Sequence, residues 1–233
     1  MSKLIEVIEK IKPSVVAIGF TFAPNGRMQP EDIAGSGFII SETGYVCTCG
    51  HVVSGKQGQL RVSIRKEEQY PHAASEVVLL DKERDIAIIK LPPPPPDMKV
   101  KFNPVEIGDS NETKEGKEII FCGFPFGGGV GGGFTPSSTR GIISALRPKQ
   151  IGDSIMYHFQ LDAMVLEGNS GSPVVDVETG KVIGIINTRF DPMLAGPQVI
   201  IGGRRLTSPT NIGFAIPINL VKPLIDVVTK KEK

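Results

Sequence analysis

Apolar residues at Leu4, Ile5, Val7, Ile8 and Ile11 recur at helical intervals, and Pro13 ends the pattern. A helix is therefore predicted over residues 3–12. Beyond it the period shortens. Residues 15–22 are apolar and β-branched, and residues 37–40 and 45–49 flank the turn-forming Ser41-Glu42-Thr43-Gly44. Residues 60–65 alternate apolar with polar, while residues 77–80 and 86–91 are short apolar runs suited to buried strands. Five consecutive prolines, 92–96, can donate to no ladder and predict a polyproline II connector. Strand patterns then resume over 118–123, 141–146, 156–161, 174–177, 182–187 and 212–216. A second helix is predicted over 220–229, before a Lys-rich end.

The chain thus reads as two sets of short strands joined by a Pro-rich segment near 92–104, with a helix at each end. Glycine (27) and proline (19) are abundant enough to favour many turns and few long helices. The 26 basic and 25 acidic residues leave a net charge of +1, which removes the electrostatic case for a nucleic-acid partner. No apolar run approaches the roughly 18 residues that span a bilayer, so no membrane partner is expected. The apolar residues of the first helix are interrupted by Glu6, Glu9 and Lys10, unlike an export signal. Three cysteines, an odd number, suit a reducing compartment better than a disulfide framework. Together these give the expectation of a cytoplasmic protein.

Three segments carry candidate chemistry. Gly168-Asn169-Ser170-Gly171-Ser172-Pro173 sets a serine in a turn whose glycines leave backbone N–H groups free to face a developing oxyanion. Taken alone it is also what a surface loop looks like. Cys47-Thr48-Cys49-Gly50-His51 puts a histidine at the end of a predicted strand. Asp85 directly precedes a buried apolar strand, where a carboxylate is costly without a strong hydrogen-bond donor such as an imidazole N–H. The order His51, Asp85, Ser170 is that of chymotrypsin-type triads and not of subtilisins or α/β-hydrolases. The Pro-rich joint falls between Asp85 and Ser170.

The chain resembles a trypsin-fold serine protease, and within that clan the protease domain of the HtrA/Deg family. The resemblance rests on Gly35-Ser36-Gly37-Phe38-Ile39-Ile40, the His51 segment, Asp85-Ile86-Ala87, Ile107-Gly108-Asp109-Ser110 and Gly123-Phe124-Pro125-Phe126-Gly127. It continues through Gly141-Ile142-Ile143-Ser144-Ala145, Leu161-Asp162-Ala163, the Ser170 loop, Ile183-Gly184-Ile185-Ile186-Asn187-Thr188 and Gly213-Phe214-Ala215-Ile216-Pro217. It implies an all-β fold of two six-stranded antiparallel β-barrels with short terminal helices. Residues 1–103 would form the barrel with His51 and Asp85, and residues 104–233 the barrel with Ser170 and the last helix.

The resemblance also implies roles. Ser170 would be the nucleophile of a serine endopeptidase, His51 the base and Asp85 its orienting partner, without a cofactor. Gly168 and Ser170 N–H groups would form the oxyanion hole, with Asn169 setting the turn between them. By position Met164 would sit at the S1 pocket, walled by Asn187, Thr188, Arg189, Gly213 and Ala215. With no acid at position 164, cleavage after Lys or Arg is not expected and a small apolar P1 residue is. Unfolded or exposed polypeptide is the implied substrate and a homotrimer a possible assembly. No PDZ domain is expected to follow the last helix, and Ser172 replaces the family's usual glycine. The glycine-rich stretch 126–134 lies where relatives carry a regulatory loop, and is expected either to order when peptide binds or to be a passive flexible loop. The alternative is a protease-fold binding module or holdase with a triad misaligned at rest.

Two other patterns are set aside. Gly127-x-Gly129-x-x-Gly132 formally matches a dinucleotide fingerprint but opens no helix. Cys47, Cys49 and His51 alternate along one predicted strand, about 6.7 Å apart, too far to close a metal site or a Cys47–Cys49 disulfide without a sharp bend. Cys122 is expected in the core, His72 at the surface and His158 near the second barrel's core without a catalytic role.

Overall fold

The structure, a computed structural model, describes residues 2–64, 73–94, 101–128, 134–189, 200–201, 204–205 and 211–230. The first sheet is built from β1 (Val15–Thr21), β2 (Ile33–Ile39), β3 (Tyr45–Cys49), β4 (Gln59–Ile64), β5 (Ala73–Ala74), β6 (Glu76–Asp81) and β7 (Ile86–Lys90). Its order is β5-β4-β1-β2-β3-β7-β6, a curled seven-stranded antiparallel sheet whose edges are not paired among the described residues. The second half contains β8 (Glu118–Gly123), β9 (Ser137–Ile151), β10 (Ser154–Asp162), β11 (Pro173–Asp176) and β12 (Val182–Arg189). A two-stranded ribbon of β13 (Ile200–Ile201) and β14 (Arg204–Arg205) follows, then β15 (Ile212–Pro217). Strands β10, β15, β12, β11, β8 and β9 close a six-stranded barrel.

The mostly β, two-barrel architecture expected from the sequence is therefore present, with a closed second barrel and a half-barrel first sheet. Burial explains the patterning. Val15, Val16, Ala17 and Ile18 are fully buried on both faces of β1, so the strand reads as a continuous apolar run instead of an alternation. The predicted strand over 37–40 is the C-terminal end of a longer β2, which stops at Ile39, and that over 141–146 is the interior of a longer β9. Gly35, Ser36 and Gly37 have low strand propensity, but β1 pairs with all three, and Ile18 packs into the space a Gly37 side chain would need. Residues Pro92–Pro94 carry no strand; Pro95 and Pro96 lie outside the described residues, as does His72.

One core cluster runs through both halves, from Val15, Phe38 and Ile89 of the first sheet to Ile120, Val175 and Ile216 of the second barrel. A separate cluster, including Phe121, Phe159, Leu161 and Ile186, fills the closed barrel. The predicted terminal helices are α1 (Lys3–Ile11) and α3 (Lys222–Lys230), separated in the chain by the short α2 (Gly50–Val53). Helix α1 buries Val7 and Ile11 in the shared core, and α3 buries Val228 there. Because the two halves share a core, residues delivered by one are held in fixed relation to residues delivered by the other.

Candidate active site

His51 lies in α2, immediately after β3. Asp85 ends the turn that leads into β7, which pairs with β3 from Tyr45–Lys90 to Cys49–Ile86. That register brings the end of one strand beside the start of the other. Asp85 sits in the left-handed region, φ +57°, a conformation that aspartate tolerates better than most residues. Its backbone carbonyl accepts from Gly50 N–H at 3.0 Å. Its Oδ1 accepts from the His51 backbone N–H at 2.7 Å, and Oδ2 lies 2.7 Å from His51 Nδ1. A third donor comes from the other half: Asn187 Nδ2 reaches Oδ2 at 2.6 Å. Burial alone would push the Asp85 carboxyl up, but the His51 hydrogen bonds and charge and the Asn187 amide hold it below the usual carboxylate range.

Ser170 lies in the loop between β10 and β11. Its hydroxyl donates to the Asn187 carbonyl oxygen at 2.9 Å and makes no hydrogen bond with His51. Staggered side-chain wells allow that hydroxyl to reorient, and such bonds are often loose without substrate. The loop itself is fixed from three sides. Ser36 Oγ, fully buried on β2, donates to the Gly168 carbonyl at 2.7 Å and accepts from Phe124 N–H at 3.0 Å. Phe126 N–H donates to the Glu167 carbonyl at 2.7 Å, and Ser36 N–H donates to the Ser170 carbonyl at 2.8 Å. With the Glu167 carbonyl held on Phe126, the trans peptide turns the Gly168 N–H the opposite way. Among the described residues neither Gly168 N–H nor Ser170 N–H has an acceptor. Gly168 has φ +87°, and a Cβ there would overlap the Phe124 carbonyl oxygen, so only glycine fits. Asn169 is 2% exposed and its N–H donates to the Leu166 carbonyl, closing the turn.

The remaining expected site residues divide. Met164 is 54% exposed, while its neighbour Val165 is 3% exposed and packs against Gly213 where a side chain on that glycine would stand. Ala215 is fully buried inside the closed barrel. Asn187 turns its side chain to Asp85, so only its backbone faces Ser170. Thr188 and Arg189 continue β12 opposite Phe214 and Gly213; their side chains lie outside the described residues. Of the glycine-rich loop, Gly127 and Phe126 lie against the turn at Gly168, and residues 129–133 are outside the description. A cleft of about 590 Å³ beside Gly168 is lined by Phe22, Ile33, Lys56, Phe126 and Glu167.

Sequence reasoning missed Ser36, Val165 and the Asn187 side chain. Ser36 stood in a recognised Gly-Ser-Gly run, but nothing in the run says that its hydroxyl bridges two loops. The metal geometry expected from an unbroken strand also differs. The strand ends at Cys49 and the chain turns into a helix at Gly50, and this bend brings Cys49 and His51 together beside Asp85. Cys47, Cys49 and Cys122 are all free and buried.

A fully assembled His–Asp pair on a half-barrel sheet, with a serine on the closed barrel in a turn whose two N–H groups have no acceptor among the described residues, defines the class of trypsin-type serine peptidases. Comparison with known proteins agrees. The trypsin-like peptidase domain matches residues 35–185, so the chain belongs to the trypsin-like peptidase family. A probable periplasmic serine endoprotease DegP-like from Brucella suis is 36% identical over 198 residues, 84% of this chain and 33% of that protein. Human serine protease HTRA3 is 35% identical over 214 residues, 87% of this chain and 43% of that protein. The HtrA-type protease AlgW with tripeptide superimposes with a TM-score of 0.71 at 26% identity, covering all of this chain and 65% of the other. This chain thus spans well under half the length of these curated relatives. No described helix is long and apolar enough to cross a membrane.

Proposed function

We propose that the chain is a serine endopeptidase acting on exposed or unfolded polypeptide. Ser170 Oγ attacks the scissile carbonyl while His51 takes its proton; the N–H groups of Gly168 and Ser170 receive the oxyanion. The tetrahedral species collapses to an acyl-enzyme as His51 returns the proton to the leaving amine. Water then repeats the sequence and frees Ser170. Asp85, gripped by three donors, holds the imidazole and balances its transient charge. The observation that carries this reading is the turn at Gly168–Ser170, whose two N–H donors have no acceptor among the described residues. A holdase reading is less favoured, since the named relatives are proteases.

Val165 against Gly213 supports a shallow apolar P1 site, with Met164 outside it. Peptide-library cleavage tests this: Met164→Asp leaves a small apolar P1 preference in place, and a gain of Lys/Arg cleavage would refute it. The cleft lined by Phe22 and Phe126 is the proposed seat of the substrate's leaving side. The free, buried thiols support a reducing, cytoplasmic location, whereas the Brucella relative's name places that protein in the periplasm; cell fractionation decides. Homotrimer assembly is tested by light scattering.

The test of the activity is intact-mass spectrometry after fluorophosphonate treatment, with and without an unfolded protein. A single adduct lost in Ser170→Ala is expected. No adduct in either condition would overturn the proposal.

A further inference from the structure

The triad has a fourth neighbour that peptide hydrolysis does not use. Cys49 ends β3 directly beneath the His51–Asp85 pair, fully buried, with its thiol donating to the Ile186 carbonyl at 3.2 Å. One ligand atom each from Cys49, His51 and Asp85 lie within 4.8 Å of one another, the one such group of three among the described residues. Tetrahedral coordination by sulfur, nitrogen and oxygen at about 2.0–2.3 Å separates ligand atoms by roughly 3.5 Å, so closing each pair by at most about 1.3 Å, shared between its two side chains, completes the set. The geometry points to a binding site for a thiophilic divalent cation, zinc above all, formed by Cys49, His51 and Asp85 and acting as a reversible off-switch.

The donor set argues for the class of metal. One thiolate, one imidazole and one carboxylate suit zinc, cadmium or cobalt, whereas magnesium and calcium require mostly oxygen. Three protein ligands leave the fourth position to water, on the side where His51 is about half exposed. Charge supports the same choice. A thiolate and a carboxylate carry two negative charges, which a divalent cation neutralises in a largely buried place. A bound cation compensates the thiolate, and the thiol proton is released to solvent. Cys47, two residues earlier and equally buried, is not in the group and serves as an internal control.

Occupancy stops the chemistry whichever ring nitrogen of His51 is taken. If the metal holds Nδ1, which faces Asp85, the ring proton resides on Nε2 and no lone pair remains for the Ser170 proton. If the metal holds Nε2, the base itself is coordinated. The off-switch thus rests on the proposed peptidase reading, but the metal site does not.

The test uses the full chain and two readouts. Cobalt(II) is titrated first, because a thiolate ligand produces a sulfur-to-cobalt charge-transfer band in the near ultraviolet. One equivalent should raise that band in the wild-type protein and in Cys47→Ala, and in neither Cys49→Ala nor Cys49→Ser. The serine variant keeps a donor for the Ile186 carbonyl should alanine fail to fold. Zinc affinity, by competition with a chromophoric chelator, should fall on the order of a hundredfold in the Cys49 variants. Zinc should also block fluorophosphonate labelling of Ser170, and a chelator should restore it. Absence of the band at saturating cobalt, or wild-type zinc affinity in both Cys49 variants, would overturn the site; undiminished labelling of the zinc-loaded protein would overturn the switch. A metal-free chain that takes no fluorophosphonate at all would instead refute the peptidase reading and leave the cobalt result standing.

Discussion

Ser36→Ala removes one oxygen and tests how the oxyanion turn is held. The Ser36 hydroxyl donates to the Gly168 carbonyl and accepts from Phe124 N–H, and all three residues are buried. Alanine leaves a carbonyl and an N–H without partners in a space one oxygen wide. Each unsatisfied buried group costs about 1–3 kcal/mol, and because the two share one small gap the loss of stability should be about 2–4 kcal/mol. The catalytic effect follows from the same bond. Gly168 is held by its carbonyl on Ser36 and by the preceding carbonyl on Phe126; with the first gone, only the Phe126 bond still orients its N–H, and the turn holds that N–H toward the oxyanion less firmly. Loss of one such donor lowers kcat by about a hundred- to a thousandfold, and partial misorientation should approach the lower end. KM should change little, because the oxyanion forms only in the transition state. Urea unfolding followed by circular dichroism, in a chain without tryptophan, gives the first quantity, and peptide kinetics the second. A variant with unchanged stability and unchanged kcat would refute the view that Ser36 preorganises the turn.

Three further perturbations have worked outcomes. Asn187→Ala deletes a donor to the Asp85 carboxylate; hydrogen bonds to charged groups contribute about 1.5–3 kcal/mol, so kcat should drop roughly tenfold to a hundredfold in the same kinetic assay. Ser172 is fully buried and its hydroxyl has no partner among the described residues, so Ser172→Ala should raise stability by about 1 kcal/mol or more, read as a higher urea midpoint. His158 is buried, and its Nε2 has no partner among the described residues; desolvation, and then the charge of Lys149, depress it from 6.5 to about 4. The unfolded chain therefore takes up this proton first, and stability that is full above about pH 6.5 is lost as pH falls toward 4, by about 2–3 kcal/mol. The Asp85 carboxylate, held below its ordinary range, gives up its contribution only at lower pH. His158→Phe should flatten the loss between pH 6.5 and 4 in urea melts, and an unchanged slope would assign it to another group.

The sequence by itself determined the elements that depend on neighbours along the chain. Helix α1 follows from the spacing of Leu4, Val7, Ile8 and Ile11, β3 and β7 from short apolar runs, and the oxyanion turn from Gly168, whose backbone no other residue can adopt. It also set the order His51, Asp85, Ser170, which limits the architectures able to join them. Tertiary structure alone decided which side chains meet across the two halves. Asn187 and Asp85 are 102 residues apart, and a strand's two-residue period tells which face a side chain takes but not what stands opposite. The same limit hid Val165 behind Met164, because adjacent loop residues face different ways only once β15 supplies Gly213. It hid Cys49 as well: periodicity extends a strand straight onward, whereas the chain bends at Gly50 and folds the thiol under the triad. Local patterning is written in propensity and period; a site assembled between two barrels is written in their packing.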